Sequence, residues 1–140
     1  MYCNELNDLG PCPAAIDINC EAKRNSNFRT ALWTGEYLQM TLMCIPVCGD
    51  IGTEIHEETD QYIRVEHGKA MVQLGDSENC LCEEAVLCQG NGVFVPAGKW
   101  HNIVNIGCCP LKLSSVYAPP HHPAGVEQRT KEEAMIMAEG

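Results

Sequence analysis

The sequence predicts an all-β fold, a barrel or sandwich that ends in a short helix. Segments in which apolar and polar residues alternate, or in which β-branched residues predominate, follow one another from Asn27 onward. Turn residues separate these segments at intervals of about eight to twelve residues, the spacing of barrels and sandwiches. Only the C-terminal stretch TKEEAMIMAEG has a helical pattern. A length of 140 residues is typical of a single domain.

The first half of the chain begins with an irregular region and continues with strands. Residues 1–27 are polar, with two prolines and several asparagines, and predict an N-terminal arm that contributes edge elements and contains no helix. FRTALWTG is a predicted strand that ends at the Thr34–Gly35 turn, and EYLQMTLMCI alternates cleanly until Pro46 and Gly49 end it. TEIHE is a further strand candidate, and QYIRVEHG is a β-branched and aromatic strand that ends at Gly68.

The second half completes the strands and ends in the predicted helix. The strands are KAMVQLG, the weaker CEEAVLCQ, GVFVPAGKWH, NIVNIG and LKLSSVYAPP. The prolines of APPHHPAGVEQR indicate a rigid connector, and Thr130 with Glu133 forms a capping-box pattern at the start of the helix. The predicted organisation is an arm over residues 1–27, a barrel over 28–118, and a connector with a C-terminal helix over 119–140.

The alternation in QYIRVEHG predicts which side chains face the interior. Gln61, Ile63 and Val65 share one phase and are expected to line an interior that is mostly apolar. Tyr62 and Arg64 have the opposite phase, which directs them to the outside or to a dimer partner.

The charge of the chain excludes several classes of partner. The formal net charge is -10, from 19 acidic and 9 basic residues. Nucleic acids and anionic membranes both require a basic surface, so neither is an expected partner. The longest apolar stretch, YLQMTLMCIPVCG, is interrupted and too short to span a bilayer. The N-terminal sequence MYCNELNDLGPCP lacks the features of a signal peptide, which predicts a cytosolic protein.

The chain contains ten cysteines. No C-x-x-C motif occurs, and in the cytosol most of these residues are expected to be reduced thiols. They are interpreted as small apolar residues at β positions. Cys80 and Cys82 are the best candidates for a redox or metal-binding pair.

Four polar residues have the phase to face one cavity: Glu54, His56, Gln61 and His101. Glu54 and His56 are two residues apart, so on a strand their side chains point to the same side. Gln61 opens the next strand, and His101 follows the Pro-Ala-Gly turn of VFVPAGKWHNI. Two imidazoles and one carboxylate favour Fe(II), with Mn, Ni, Co and Zn as alternatives. Gln61 is either a direct ligand or a partner of a metal-bound water.

Other polar residues near this pattern have no assigned role. His67, His121 and His122 have neither the phase nor the motif, and the two connector histidines are expected to be solvated. Glu57, Glu58 and Asp60 are expected to form a solvated loop. No catalytic residue is assigned.

The segment from Gly90 to Asn105 resembles the second motif of the cupin family, G-x5-P-x-G-x2-H-x3-N. It matches at every fixed position, which are Gly90, Pro96, Gly98, His101 and Asn105. The resemblance covers residues 28–118. The phrases DIGTEIHEETDQYIRVEHGKA and PLKLSSVYAPPHHPAG further resemble an uncharacterised bacterial subgroup that is often labelled mannose-6-phosphate-isomerase-like.

The first cupin motif, G-x5-H-x-H-x3,4-E-x6-G, is matched in frame with substitutions. Glu54 and His56 stand at its two histidines, Gln61 at its glutamate and Gly68 at its last glycine. Its first glycine falls at Cys48, so we expect Gly49 or Gly52 to supply that turn.

The resemblance implies a double-stranded β-helix, or jelly-roll barrel, with a divalent metal held by Glu54, His56, Gln61 and His101. It also implies a homodimer formed through barrel edges, often with exchange of N-terminal strands. A member of the family that has lost its metal is the alternative.

Three functions fit such a barrel. The first is a metal-binding cupin that acts on or binds a small organic molecule, with dioxygenase-like chemistry preferred. The second is a sugar-phosphate isomerase of the mannose-6-phosphate type, which ranks lower because Lys99 is the only basic residue adjacent to a motif. The third is a non-catalytic module that binds a small ligand.

Overall fold

The alternating segments form antiparallel strands in the computed structural model, which describes residues 8–139. The strands are β1 (Arg29–Thr34), β2 (Gln39–Ile45), β3 (Asp60–His67), β4 (Lys69–Gly75), β5 (Glu83–Cys88), β6 (Gly92–Val95), β7 (Trp100–Asn105), β8 (Leu111–Ala118) and β9 (Glu127–Gln128). The helices are α1 (Ile18–Arg24) and α2 (Lys131–Glu139). None of the helices in this part of the chain has the length and apolar character needed to cross a membrane.

The strands lie in two sheets that face each other. The larger sheet has the order β6-β3-β8-β2-β1-β9, and the smaller one has the order β5-β4-β7. All pairings are antiparallel. This architecture confirms the predicted all-β jelly roll with a short C-terminal helix.

The apolar core lies between the two sheets. Ile63 and Val65 are buried in it as their phase predicted, opposite Val72 and Ile103 of the smaller sheet. Tyr62 points outward and stacks on Phe94 of β6. The side chains of the core therefore follow the period-two pattern of the strands.

The part of the interior nearest the predicted site is polar, which corrects the prediction of a mostly apolar interior. Arg29, Gln39, Thr41, Ser115 and Tyr117 are all buried. All five lie on the inner face. Gln39 and Thr41 of β2 pair with Tyr117 and Ser115 of β8, and Arg29 of β1 pairs with the core residue Met43. Gln39 is satisfied by hydrogen bonds to the connector, whereas Arg29 Nε and the Ser115 hydroxyl have no partner among the described residues, which is costly in a buried position.

Helix α1 lies in the region where no helix was predicted, so that prediction is wrong. The Asp17 side chain caps it by accepting a hydrogen bond of 3.1 Å from the Cys20 N–H. The helix covers the outer face of the larger sheet, where Ala22 packs against Leu32 and Leu42. A helix of seven residues depends on such tertiary packing, because short helices are marginal in isolation.

Two further local predictions have different outcomes. TEIHE does not form a regular strand; it makes only an isolated bridge between Glu54 and His101. At the start of α2, the Glu133 N–H donates to the Thr130 hydroxyl oxygen over 3.1 Å, so the predicted cap at Thr130 is confirmed.

The cysteines are mostly free thiols, but they are not buried apolar residues. Eight cysteines of residues 8–139 are free, six of them exposed and two half-buried, whereas Cys12 is disulfide-bonded. Of the eight, only Cys44 and Cys88 lie on strands, so the interpretation as small apolar residues at β positions does not hold for the others. Cys80 and Cys82 lie side by side, and a hydrogen bond with the Cys82 thiol raises the pKa of Cys80.

Candidate metal centre

The backbone places Glu54 directly opposite His101. The Glu54 N–H donates to the His101 carbonyl, and the His101 N–H donates to the Glu54 carbonyl, each over 2.9 Å. Two residues that exchange both hydrogen bonds form a paired position of an antiparallel ladder, and their side chains share one face. The irregular segment before β3 thus lies against β7 and brings the two halves of the site together.

The turn before β7 is joined to the segment that carries His56. Gly98 has a φ of +83°, a left-handed conformation that glycine adopts without strain, and the Lys99 N–H closes the turn on the Pro96 carbonyl over 3.2 Å. The Gly98 N–H donates to the His56 carbonyl over 2.8 Å. This hydrogen bond therefore fixes the position of the His56 backbone relative to the strand that carries His101.

Three ligand atoms converge at the inner face of this end of the barrel. Oε1 of Glu54 lies 3.3 Å from Nε2 of His56 and 3.3 Å from Nε2 of His101. The ligand atoms of all three residues lie within 4.8 Å of one another. Both imidazoles are buried, whereas the Glu54 side chain retains 27% exposure. The structure thus brings together three of the four residues proposed from the sequence around one point.

The hydrogen bonds of His101 leave one of its nitrogens free to bind a metal. Nδ1 lies 3.1 Å from the Lys99 carbonyl oxygen, which makes Nδ1 the protonated nitrogen and a donor. Nε2 then presents a lone pair toward Glu54, and it has no hydrogen-bond partner among residues 8–138. A histidine whose second nitrogen donates to a carbonyl is the usual arrangement of a metal ligand.

Gln61 lies at the start of β3, on the same inner face. The residue is 4% exposed, and within the described part of the chain its Oε1 atom has no hydrogen-bond partner. An amide oxygen left unpaired in a buried position fits an acceptor for a metal or for a metal-bound water. Glu57 and Glu58 are exposed, as predicted for the loop before this strand, and Asp60 is exposed as well but is the first residue of β3.

The connector histidines lie at the site, which the sequence analysis did not predict. The His121 ring lies 4.1 Å from the ring of His56, centroid to centroid. Gln39 holds this part of the connector by accepting from the backbone N–H groups of His121 and His122, over 3.1 and 2.9 Å, and by donating to the His122 carbonyl over 2.9 Å. His121 is exposed as expected, but His122 is partly buried.

Tyr117 is a second residue that the sequence analysis missed. It is fully buried at the end of β8, opposite both Gln39 and Gln61, and its ring lies 5.7 Å from that of His56. The alternation in LKLSSVYA placed it in phase with the core residue Leu113, and this was the available signal.

Electrostatics distinguish the groups at the site. Burial alone would raise the pKa of Glu54, but the two imidazoles of His101 and His56 beside it hold this pKa far below its usual range, so Glu54 is a carboxylate. Burial raises the pKa of Tyr117 to about 12, which keeps its hydroxyl protonated. Burial, together with the charge of Arg29, lowers the pKa of His122 to about 3, so this imidazole is neutral.

A cavity of about 460 Å³ opens beside Glu54. Glu54 and Arg29 line its barrel side, and the connector and α2 form the opposite wall with His121, Lys131 and Met135. A cavity of this size holds a small organic molecule.

The family of the chain follows from comparison with known proteins. The cupin domain matches residues 41–117, which is more than half of the chain. The chain belongs to the cupin family. It is 46% identical to the uncharacterised protein YrkC of Bacillus subtilis over 130 residues, which are 93% of this chain and 70% of YrkC.

Other relatives agree with this membership. The cupin is 34% identical to the uncharacterised protein L612 of Acanthamoeba polyphaga mimivirus over 111 residues, which are 79% of this chain and 68% of L612. The crystal structure of BH2720 from Bacillus halodurans is similar to it with a TM-score of 0.92 and 48% sequence identity, over 94% of this chain and 99% of that one.

The first cupin motif departs from its pattern at Cys48. The Gly49 N–H donates to the Pro46 carbonyl over 2.9 Å, and Cys48 occupies the left-handed position of this turn with a φ of 67°. The cysteine thus adopts a left-handed conformation at the position of the motif's first glycine, while Gly49 closes the turn and Gly52 has a φ of +90°.

Proposed function

We propose that this cupin binds a divalent metal through Glu54, His56 and His101 and acts on a small organic molecule. The observation that carries the proposal is the convergence of both unpaired Nε2 atoms on one carboxylate oxygen, each over 3.3 Å. Two imidazoles and one carboxylate match the facial ligand set of non-haem iron proteins. Fe(II) is therefore the proposed metal, with Mn, Ni, Co and Zn as alternatives.

Gln61 completes the proposed site. Its unpaired Oε1 is suited either to bind the metal or to accept a hydrogen bond from a metal-bound water. A neutral amide leaves the ligand set with one negative charge, so a bound divalent ion retains a net charge of +1 and remains a Lewis acid.

The proposed reaction is dioxygenase-like. When bound, iron(II) supplies the redox chemistry on which oxygenases depend. The protein supplies a cavity between the barrel and the connector, and a neutral Tyr117 whose ring lies beside His56 and whose hydroxyl lies 3.3 Å from Nε2 of His122. The isomerase ranks lower because Lys99 pairs with Asp76 and Glu83, over 3.0 and 3.1 Å, and so is not available to a phosphate.

Metal analysis and oxygen consumption test this proposal. The purified protein is expected to carry about one metal ion per chain, and the His101→Ala variant very little. His67→Ala is the matched control, because His67 is an exposed histidine outside the site. Equal metal content in the wild-type protein and His101→Ala would refute the metal site.

The reaction is tested on the Fe(II)-loaded protein with a panel of diols and phenols. Oxygen consumption that requires both a substrate and His101 supports the oxygenase. Turnover of mannose 6-phosphate in a coupled assay would instead support the isomerase. Thermal stabilisation by a small molecule without turnover would support the non-catalytic binding module.

We also propose that the cupin forms a homodimer in the cytosol. Phe94 is 78% exposed and stacks on Tyr62, and β6 is the edge strand of the larger sheet. An exposed aromatic residue on a sheet edge favours pairing with a second copy. Sedimentation analysis is expected to give a dimer for the wild-type protein and a monomer for Phe94→Glu; an unchanged dimer would exclude this edge as the interface.

A further inference from the structure

Arg29 is a buried cation without a counter-ion. It is 6% exposed, and its Nη1 donates to Oε1 of Gln128, a neutral group, over 2.6 Å. Its guanidinium also lies 5.3 Å from the Phe28 ring and its Nη2 lies 4.0 Å from the Met43 sulfur, while Nε has no partner among the described side chains. Among residues 8–138, whose side chains the structure describes, no carboxylate lies within ion-pairing distance of it. Such a charge is strongly disfavoured unless an anion offsets it.

Two buried hydroxyl groups lie on the inner face that carries Arg29. Thr41 and Ser115 are directly paired on β2 and β8. Among the described residues the Ser115 hydroxyl has no hydrogen bond, and the Tyr117 hydroxyl lies beside both Thr41 and Arg29. Thr41 lies two residues before Met43 on β2 and on the same face, and Met43 pairs with Arg29 of β1. Unpaired polar atoms are rare in protein interiors, so Arg29 Nε and the Ser115 hydroxyl on one inner face indicate space for a polar ligand.

The charges around the cavity favour a particular type of ligand. Of the two basic side chains that line it, Lys131 is ion-paired with Asp50, which leaves Arg29 as the available cation. A guanidinium presents a planar fork that matches a carboxylate through two parallel hydrogen bonds. One free cation matches the single charge of a carboxylate better than the two charges of a phosphate.

We propose that the cavity beside Glu54 binds a small organic carboxylate, whose carboxyl group pairs with Arg29. The Thr41 and Ser115 hydroxyls lie on the same inner face as Arg29, behind the residues that line the cavity. Glu54 lines the same cavity, so a molecule anchored at Arg29 extends toward the metal ligands. The orientation of the ligand toward a metal rests on the proposed function, whereas the pairing with Arg29 does not.

Ligand binding to chelator-treated and metal-loaded protein tests the assignment. Calorimetric titrations use benzoate and pyruvate as probes, benzamide as the uncharged analogue of benzoate, and glycerol 3-phosphate as the phosphate-bearing probe. At least one carboxylate is expected to bind the wild-type protein, with benzamide and glycerol 3-phosphate at least tenfold weaker.

Three variants separate the role of Arg29 from general effects of charge and folding. Arg29→Met is expected to lose at least tenfold in affinity for the carboxylate, and Arg29→Lys, which keeps the charge without the fork, is expected to be intermediate. Arg24→Gln removes an exposed charge that pairs with Glu21 and is expected to bind as the wild-type protein does. If Arg29→Met does not fold, the affinity of Arg29→Lys decides.

The outcomes distinguish this inference from the proposed function. Failure of both carboxylates to bind, equal binding of benzamide, or unchanged affinity in the Arg29 variants would overturn the carboxylate assignment. Tighter binding of glycerol 3-phosphate would also overturn it and assign a phosphate ligand. Carboxylate binding that depends on Arg29, in a protein that takes up no metal, would refute the proposed metal site and leave this inference standing.

Discussion

Replacement of Cys48 by glycine is expected to stabilise the cupin. Cys48 is an exposed residue with a φ of 67°, in the turn that begins at Pro46 and is closed by the Gly49 N–H. Its side chain therefore gains little from burial. Its backbone nevertheless adopts a left-handed conformation. Residues with a Cβ rarely adopt this conformation, because the Cβ lies too close to the following carbonyl oxygen.

The size of the effect follows from two opposing terms. A residue with a Cβ loses about 1–2 kcal/mol in the left-handed conformation, and glycine removes this loss. Glycine also increases the conformational entropy of the unfolded chain, which offsets about 0.4–1 kcal/mol. The net gain is about 0.5–1 kcal/mol, which corresponds to a rise in Tm of about 2–4 °C for a domain of this size.

Urea and thermal unfolding, with chelator and reductant present, measure this change. Cys48→Ala is the matched control, because it removes the thiol and keeps the Cβ; its stability is expected to stay within about 0.5 kcal/mol of the wild-type value. Equal stabilisation by alanine and glycine would show that the thiol, not the backbone, is responsible. A decrease on Cys48→Gly would refute the reasoning.

Three further changes test the site and its surroundings. Gln61→Glu is expected to raise the affinity for divalent metals at least tenfold in competition with a chelator, because it adds a negative ligand. It is also expected to lower the stability of the metal-free protein, because it adds a buried charge. Unchanged affinity would place residue 61 away from the metal. Protonated Tyr117 contributes stability that is fully present below its unfolded pKa of about 10. This contribution, about 2–3 kcal/mol, is lost as the pH rises to the folded pKa of about 12. The free energy of unfolding of the metal-free protein is therefore expected to depend less on pH between 9 and 12 in Tyr117→Phe than in the wild-type protein, and equal slopes would contradict this. Asn105→Ala is expected to lower the free energy of unfolding by about 2–3 kcal/mol without loss of metal in the folded protein, because Asn105 Nδ2 donates to the carbonyls of Ile45, Pro46 and Cys109; loss of metal at temperatures where it is folded would give this residue a role at the site.

The strands and the ligand set could be predicted because both depend on local periodicity. Alternation in QYIRVEHG placed Gln61 on the inner face, and the turn before His101 set the direction of that side chain. Glu54 and His56 were predicted to share one side of a strand, and they converge although the segment forms only an isolated bridge. The pattern thus identified the residues without giving the correct secondary structure.

The remaining parts of the site depend on contacts between distant segments. Arg29 is brought near Thr41 by the register of β1 on β2, and His121 is placed by hydrogen bonds to Gln39. Helix α1 owes its stability to packing on the larger sheet rather than to its own seven residues. None of these contacts can be recognised from a short stretch of sequence, because the alternation of side chains along one strand does not specify which strands become its neighbours.

The cavity has two walls that come from separate stretches of the chain. The proposed metal ligands lie between residues 54 and 101, on segments held by the barrel ladders, whereas the opposite wall consists of the connector and α2. Most of the barrel core is formed without the C-terminal segment. Substitutions in that segment can therefore change which molecule fits while the metal chemistry stays constant, so related cupins can diverge in substrate by altering their C-terminal tails alone.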